Sequence, residues 1–302
     1  MIKLAIKKLP ENSEDFLLLK KNLCGQLKLP LPTNADLRER YEKMIAAGKI
    51  RRQPELEKLL LSRRIRTQSG VAIVAVLTKP YPCPGRCLYC PTESGMPKSY
   101  LSNEPAVMRA ISAKFNPYRQ VQNRLRSLEL NGHKTDKIEL IVMGGTFSFL
   151  PKHYQKWFIT ECFRATNDYP RKLKVQNSRL PKPGAGGQAK FKVNDLLIKE
   201  HKRNEKARHR IIGLTLETRP DYIDEKEILN FRNLGATRVE LGVQSIFNPV
   251  LQANRRGHGV EATIRATKLL KDAGFKINYH IMPGLPGSSL KKDLKMFLQI
   301  FL

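Results

Sequence analysis

Three cysteines fall within eight residues, in the stretch Tyr81-Pro82-Cys83-Pro84-Gly85-Arg86-Cys87-Leu88-Tyr89-Cys90-Pro91. The spacing is C-x3-C-x2-C, which places three thiolates on one short loop. Each can bind one iron of a 4Fe-4S cluster, leaving the fourth iron open to a non-protein ligand. A structural zinc wants four ligands, usually as two C-x2-C pairs. No second pair exists, because Cys24 and Cys162 stand alone. Zinc with a distant fourth ligand, or chance clustering, are the alternatives. An odd total of five cysteines, three of them clustered, is not a secreted disulfide framework. It suits a cytoplasmic chain whose thiols are kept for chemistry.

The cysteine loop follows a strand-like run, GVAIVAVLT (70–78). From there short β-branched runs alternate with helical stretches. IELIVMGG (138–145), IIGLTLET (211–218), TRVELGV (237–243) and KINYHIMPG (276–284) read as four further strands. Helical patterns cover about 104–130 (broken near Pro117), 153–166, 224–234, 262–273 and 290–302. Asp224 is placed to cap one of these helices and Gly235 to end it. Strand–helix repetition at this spacing means βαβ units and a parallel sheet, either doubly wound or most of a barrel. Both architectures place their sites at strand C-termini.

Fifty-five Lys and Arg against 27 Asp and Glu give a net charge of +28, which excludes an acidic solvating chain and favours a polyanionic partner. Residues 1–69 hold 16 basic and 8 acidic side chains in a helical pattern, interrupted at Gly48 and Pro54. They read as a solvated helical cap or as a platform for a nucleic-acid backbone. Residues 171–210 carry 13 basic against 3 acidic side chains and read as an exposed basic insertion with an irregular middle from Pro181 to Gly187, either a solvated loop or, favoured by the basic chain, a nucleic-acid contact. No apolar stretch reaches membrane-spanning length, and no secretory signal opens the chain.

A C-x3-C-x2-C loop after the first strand of such a series resembles the radical S-adenosylmethionine superfamily. Further ordered motifs narrow the likeness: RTQSGVAIVAVLTKP (66–80), KSYLSNEP (98–105), NPYRQVQNRL (116–125), DKIELIVMGGTF (136–147), GLTLETRPD (213–221), RVELGVQS (238–245), NRRGH (254–258) and HIMPGLPG (280–287). From about residue 36 the chain is similar to the radical domain of the Elongator catalytic subunit family. These are the tRNA carboxymethyluridine synthases, also called tRNA uridine acetyltransferases.

That resemblance implies an α/β fold: a partial (β/α) radical-SAM barrel with about five of six units, spanning 70–302, behind a basic helical, tRNA-binding N-terminal segment (1–69). It implies a 4Fe-4S cluster on Cys83, Cys87 and Cys90, S-adenosyl-L-methionine on the fourth iron, and an electron donor. One-electron reduction then yields a 5′-deoxyadenosyl radical, which takes hydrogen from the methyl group of acetyl-CoA. The carbon radical adds to C5 of the tRNA wobble uridine, and hydrolysis leaves a carboxymethyl group. Lys137 matches a lysine assigned to acetyl-CoA, although a plain strand-edge lysine would look the same. Gly144 and Gly145 fall where the superfamily holds the methionine amino group, a place where close backbone approach is needed. Most members follow these glycines with an acid, whereas Thr146 stands here. Glu217 and Arg219 are implied S-adenosylmethionine contacts, on ribose hydroxyls and on a carboxylate or phosphate; a Glu217–Arg219 structural pair is the bland alternative. Gln244 is a candidate of the same kind, and Lys79, Tyr100 and His280 could equally be scaffold.

The sequence stops at Leu302 in an uncapped apolar helix, LKMFLQIFL. Against the family, the sixth strand, the zinc-binding linker and the acetyltransferase domain are absent. The simplest expectation is a truncated or frameshifted gene product, or a fragment, able to bind the cluster and cleave S-adenosylmethionine; a split enzyme with the second domain on a separate chain is the alternative. Another radical activity, or a tRNA-binding fragment without turnover, are the competing readings.

Overall fold

The computed structural model describes residues 1–170 and 187–300; of the irregular middle expected at 181–187, residues 181–186 lie outside them and Gly187 opens a helix. Contacts divide the chain into two compact units. The first comprises residues 1–72 together with 123–137. It contains α1 (Ile2–Lys8), α2 (Ser13–Leu27), α3 (Asn34–Ala46) and α4 (Pro54–Leu60). Local chemistry sets their ends. Asn12 caps α2 by accepting from the Glu14 and Asp15 amides, each at 2.9 Å. Thr33 and Asp36 form a reciprocal capping box on α3. Gly48 adopts a left-handed φ of 66° just after α3, and Pro54 opens α4 at a position that needs no amide donor. Ile2, Phe16, Leu37, Tyr41, Leu56 and Leu60 pack into one core, so the helical pattern of this segment is a folded unit.

The second unit begins in β1 (Ala72–Leu77). After the cysteine loop come α5 (Pro105–Ser112) and α6 (Pro117–Leu130), whose residues from 123 onward belong to the first unit, then β2 (Lys137–Met143), which enters the second unit at Ile138, α7 (Lys152–Asp168) and α8 (Gly187–Glu205). The series continues with β3 (Arg210–Thr218), α9 (Glu225–Leu234), β4 (Arg238–Gln244), α10 (Asn248–Ala253), α11 (Val260–Asp272), β5 (Lys276–Ile281) and α12 (Leu290–Ile300). The strands form one five-stranded sheet in the order β1-β2-β3-β4-β5. Thr218 pairs with Leu241 where β3 meets β4, and Leu241 with Tyr279 where β4 meets β5, in parallel register. Sequential order with helical crossovers is the partial-barrel arrangement. Val74, Val76, Leu140, Val142, Leu214, Leu216, Val239 and Leu241 are buried. Each such side chain is worth roughly 1.5–3 kcal/mol when fully buried, which explains the near-continuous β-branched runs. β5 is one of the two edge strands and is only half buried, unlike β1 at the other edge.

The Asp224 side chain accepts from the Glu227 amide at 2.7 Å, and Gly235 ends α9 with φ 84°. One expectation needs correction. Residues 187–205 of the basic insertion are a 19-residue helix, α8, packed on α7. The buried face of α8 includes Leu197 but also Glu200 and Asn204. Asn204 clasps the Ile211 backbone in both directions, at 2.8 and 3.0 Å, and Glu200 holds Asn167 and Arg203. A helix docked through polar pairs shows no apolar period, so its sequence reads as loop. No helix among the described residues is long and apolar enough to cross a membrane.

Candidate functional site

Parallel strands deliver their C-terminal ends to one edge of the sheet, and the loops leaving those ends enclose a cavity. Cys83, Cys87 and Cys90 line it, together with Gly144, Gly145 and Thr146 after β2, Glu217 and Arg219 at the end of β3, and Gln244 at the end of β4. Nine of the ten sequence-predicted site residues therefore meet. Lys137 does not: it is exposed at the opposite end of β2 from the glycine pair. Seven strand residues separate the two ends, which is about 20 Å of strand.

The glycine pair is structurally required. Gly144 has φ 131° and Gly145 φ 90°. A Cβ on Gly144 would lie 2.1 Å from Thr78 Oγ1. Thr78 donates its amide to the Met143 carbonyl at 3.0 Å, which locks the ends of β1 and β2 together there.

Glu217 and Arg219 are not partners of each other. Tyr100 donates its hydroxyl to Glu217 Oε2 at 2.6 Å, and Gly145 adds a backbone hydrogen bond. Burial pushes the Glu217 carboxyl above the ordinary carboxylate range, while Tyr100 and His280 pull it down. His280 lies between two carboxylates, 3.8 Å from Glu217 and 3.1 Å from Glu240. The hydrogen bond to Glu240 raises the His280 pKa. A raised folded-state value gives stability that is complete below the unfolded pKa, about 6.5, and is lost as pH climbs through the folded value. His280→Gln is therefore expected to flatten the decline of unfolding free energy between roughly pH 6 and 8, as read from urea melts. An unchanged slope would remove His280 from that account. His133, His201 and His258 are lowered by burial and act in the opposite sense in both proteins.

Arg219 forks onto Asp221 through Nε and Nη2, at 2.9 and 2.7 Å, and Nη2 also donates to the Arg256 carbonyl. Arg256 donates through Nη1 to Cys87 Sγ at 3.4 Å. Ser99 Oγ lies 2.8 Å from Cys90 Sγ, and burial raises the Cys90 thiol. Arg256 and Ser99 thus join a site for which they were not candidates, and Tyr100, which the sequence left open as site or scaffold, meets it through Glu217. Arg256 looks like surface charge inside NRRGH, and its Cys87 partner is 169 residues away.

The residues fit a cluster and a polar small molecule. Among the described residues no group of three His, Cys, Asp or Glu converges on a single metal ion. Three thiols on one loop lining the cavity suit a cubane, which takes each sulfur at a separate iron. Four lining residues also carry a buried polar atom with no partner: Tyr89 Oη, Arg219 Nη1, Gln244 Oε1 and Arg256 Nε. Buried polar groups are nearly always satisfied, so four around one cavity indicate a hydrogen-bonding occupant.

Comparison with known proteins agrees. The tRNA uridine(34) acetyltransferase of Methanocaldococcus infernus is 48% identical over 249 residues, spanning 80% of this chain and 42% of its own length. Human Elongator complex protein 3 is 35% identical over 266 residues, spanning 82% and 44%. The solved structure of the archaeal Methanocaldococcus infernus Elp3 with an N-terminal deletion matches with a TM-score of 0.57 and 44% identity, over 77% of this chain and 42% of that one. The chain spans less than half the length of the curated relatives it matches. Residues 81–298, from the cysteine loop through α12, match the Radical SAM superfamily, and the chain belongs to it.

Proposed function

We propose that this chain is the radical part of a tRNA-modifying enzyme that carboxymethylates the wobble uridine at C5, with acetyl-CoA as acyl donor. The observation that carries the reading is the cysteine loop set over a cavity of unpartnered polar groups at the strand ends. The relatives named as tRNA uridine(34) acetyltransferases supply the substrate class, and a charge of +28 suits a tRNA ligand. Cys83, Cys87 and Cys90 would hold the 4Fe-4S cluster. With S-adenosylmethionine bound, that cluster supplies a 5′-deoxyadenosyl radical when reduced by a separate electron donor. Gly144 and Gly145 let a ligand approach backbone, and Glu217 offers a carboxylate already oriented by Tyr100. Arg219 and Gln244 each turn a buried, unpartnered polar atom to the cavity. Lys137 stands away from the reacting atoms, so any contact with acetyl-CoA falls outside this cavity. A cytoplasmic, reducing compartment would keep the thiols available.

The test is anaerobic reconstitution with iron and sulfide, followed by dithionite, S-adenosylmethionine, acetyl-CoA and bulk tRNA. Liquid chromatography should find 5′-deoxyadenosine at least about tenfold above a reaction lacking reductant, because each cleavage consumes one electron that the reductant must supply. Protein carrying a full cluster that releases none would overturn the reading.

A further inference from the structure

Arg256 is a buried cation, 7% exposed, at the turn after α10. Nη2 donates to the Gly242 carbonyl at 2.5 Å and Nη1 to Cys87 Sγ at 3.4 Å. No carboxylate among the described residues forms an ion pair with it. Its neighbour Arg219 is different, because Asp221 neutralises that guanidinium through a bidentate fork. An uncompensated buried charge is costly unless an anion answers it. The one candidate anion in contact is the Cys87 sulfur.

We propose that Arg256 is an electrostatic positioning residue that raises the reduction potential of the cluster held by the cysteine loop. The inference rests on the cluster reading above. Three thiolates on a 4Fe-4S core in its resting state carry one net negative charge. Reduction brings in a single electron from a low-potential one-electron donor, makes and breaks no bond, and leaves two negative charges. A fixed cation at the Cys87 sulfur favours the more negative state. The guanidinium is buried although the loop cysteines are only partly so, which weakens solvent screening at Arg256. The Gly242 carbonyl and the Arg219–Arg256 backbone contact hold the guanidinium in place, so it need not reorganise when the electron arrives.

The test is a redox titration with dithionite, followed by electron paramagnetic resonance on reconstituted protein, with iron and sulfide counted in each sample. Arg256→Gln keeps a donor for Gly242 and removes the charge. The reduced-to-oxidised ratio at fixed potential should fall about tenfold, which is 59 mV for a one-electron couple. Arg256→Lys keeps the charge and should stay near wild type. Asp221→Asn frees the Arg219 charge and should move the midpoint the other way. Opposite signs for Arg256→Gln and Asp221→Asn would support the proposal. An unshifted midpoint in cluster-loaded Arg256→Gln would overturn it. Loss of the cluster from Arg256→Gln, with no upward shift in Asp221→Asn, would overturn it too and make Arg256 a structural residue. Wild type that holds no cluster would instead sink the cluster reading itself.

Discussion

Cys87→Ala is expected to abolish iron loading. Anaerobically reconstituted wild type should show a broad iron–sulfur absorption with four irons and four sulfides per chain, the stoichiometry of a cubane. The variant should lose at least about nine-tenths of both, because one corner of the cubane is left without a protein thiolate and the cavity provides no substitute. The other two cysteines serve as controls. Cys162 is fully buried in α7, where burial raises its thiol well above the ordinary range, so it is inert packing. Cys24 is buried in the first unit, its thiol directed to the Pro30 carbonyl. Cys24→Ala should load iron like wild type. If Cys87→Ala keeps four irons, or wild type takes up one zinc instead, the assignment of the loop fails.

The second large effect concerns backbone. Gly144→Ala should destabilise the second unit by about 3 kcal/mol. Roughly 1–3 kcal/mol comes from holding a side chain at φ 131°. A similar amount comes from overpacking, since the new Cβ would sit 2.1 Å from Thr78 Oγ1. Thr78→Ala alone removes one buried, unpartnered hydroxyl and should be far milder. The double variant should recover only the overpacking part, because Thr78 Cβ and N remain 3.3 and 3.4 Å away and the φ is unchanged. Denaturant melts of the three proteins measure this. Full recovery in the double variant would show that sterics alone, and not conformation, demand glycine at 144. Gly145 is the contrast. A Cβ there meets only the Lys98 carbonyl at 3.5 Å, so conformation is the sole objection.

What could be read from residues alone follows the range of the interactions. Asp224 and Gly235 mark α9 because capping involves residues three or four apart. The cysteine loop is legible because its three thiols are sequence neighbours. The strands are legible because both faces are covered and apolar. Tyr100 and His280 remained ambiguous since their partners lie far off: Tyr100 meets Glu217 across 117 residues and His280 meets Glu240 across 40. Glu217 and Arg219 were found, but their partners were not, and each is bound to a residue other than its neighbour. Arg256 was hidden because burial of a charge is decided only by tertiary structure. α8 was hidden because Glu200 and Asn204 do the work usually given to leucines. Lys137 lies at the other end of β2 from the glycine pair, so its motif position does not place it in this cavity.

The 169 residues between Cys87 and Arg256 also set a schedule for synthesis. A ribosome adding about 5–20 residues per second needs roughly 10–30 s to deliver the guanidinium after the cysteine loop has been made. Throughout that interval the three thiols lack the strand ends that later enclose them. Non-local closure is also slow to fold. On the cluster reading, iron–sulfur loading would follow the emergence of β4 and α10, once the cavity around the thiols can close.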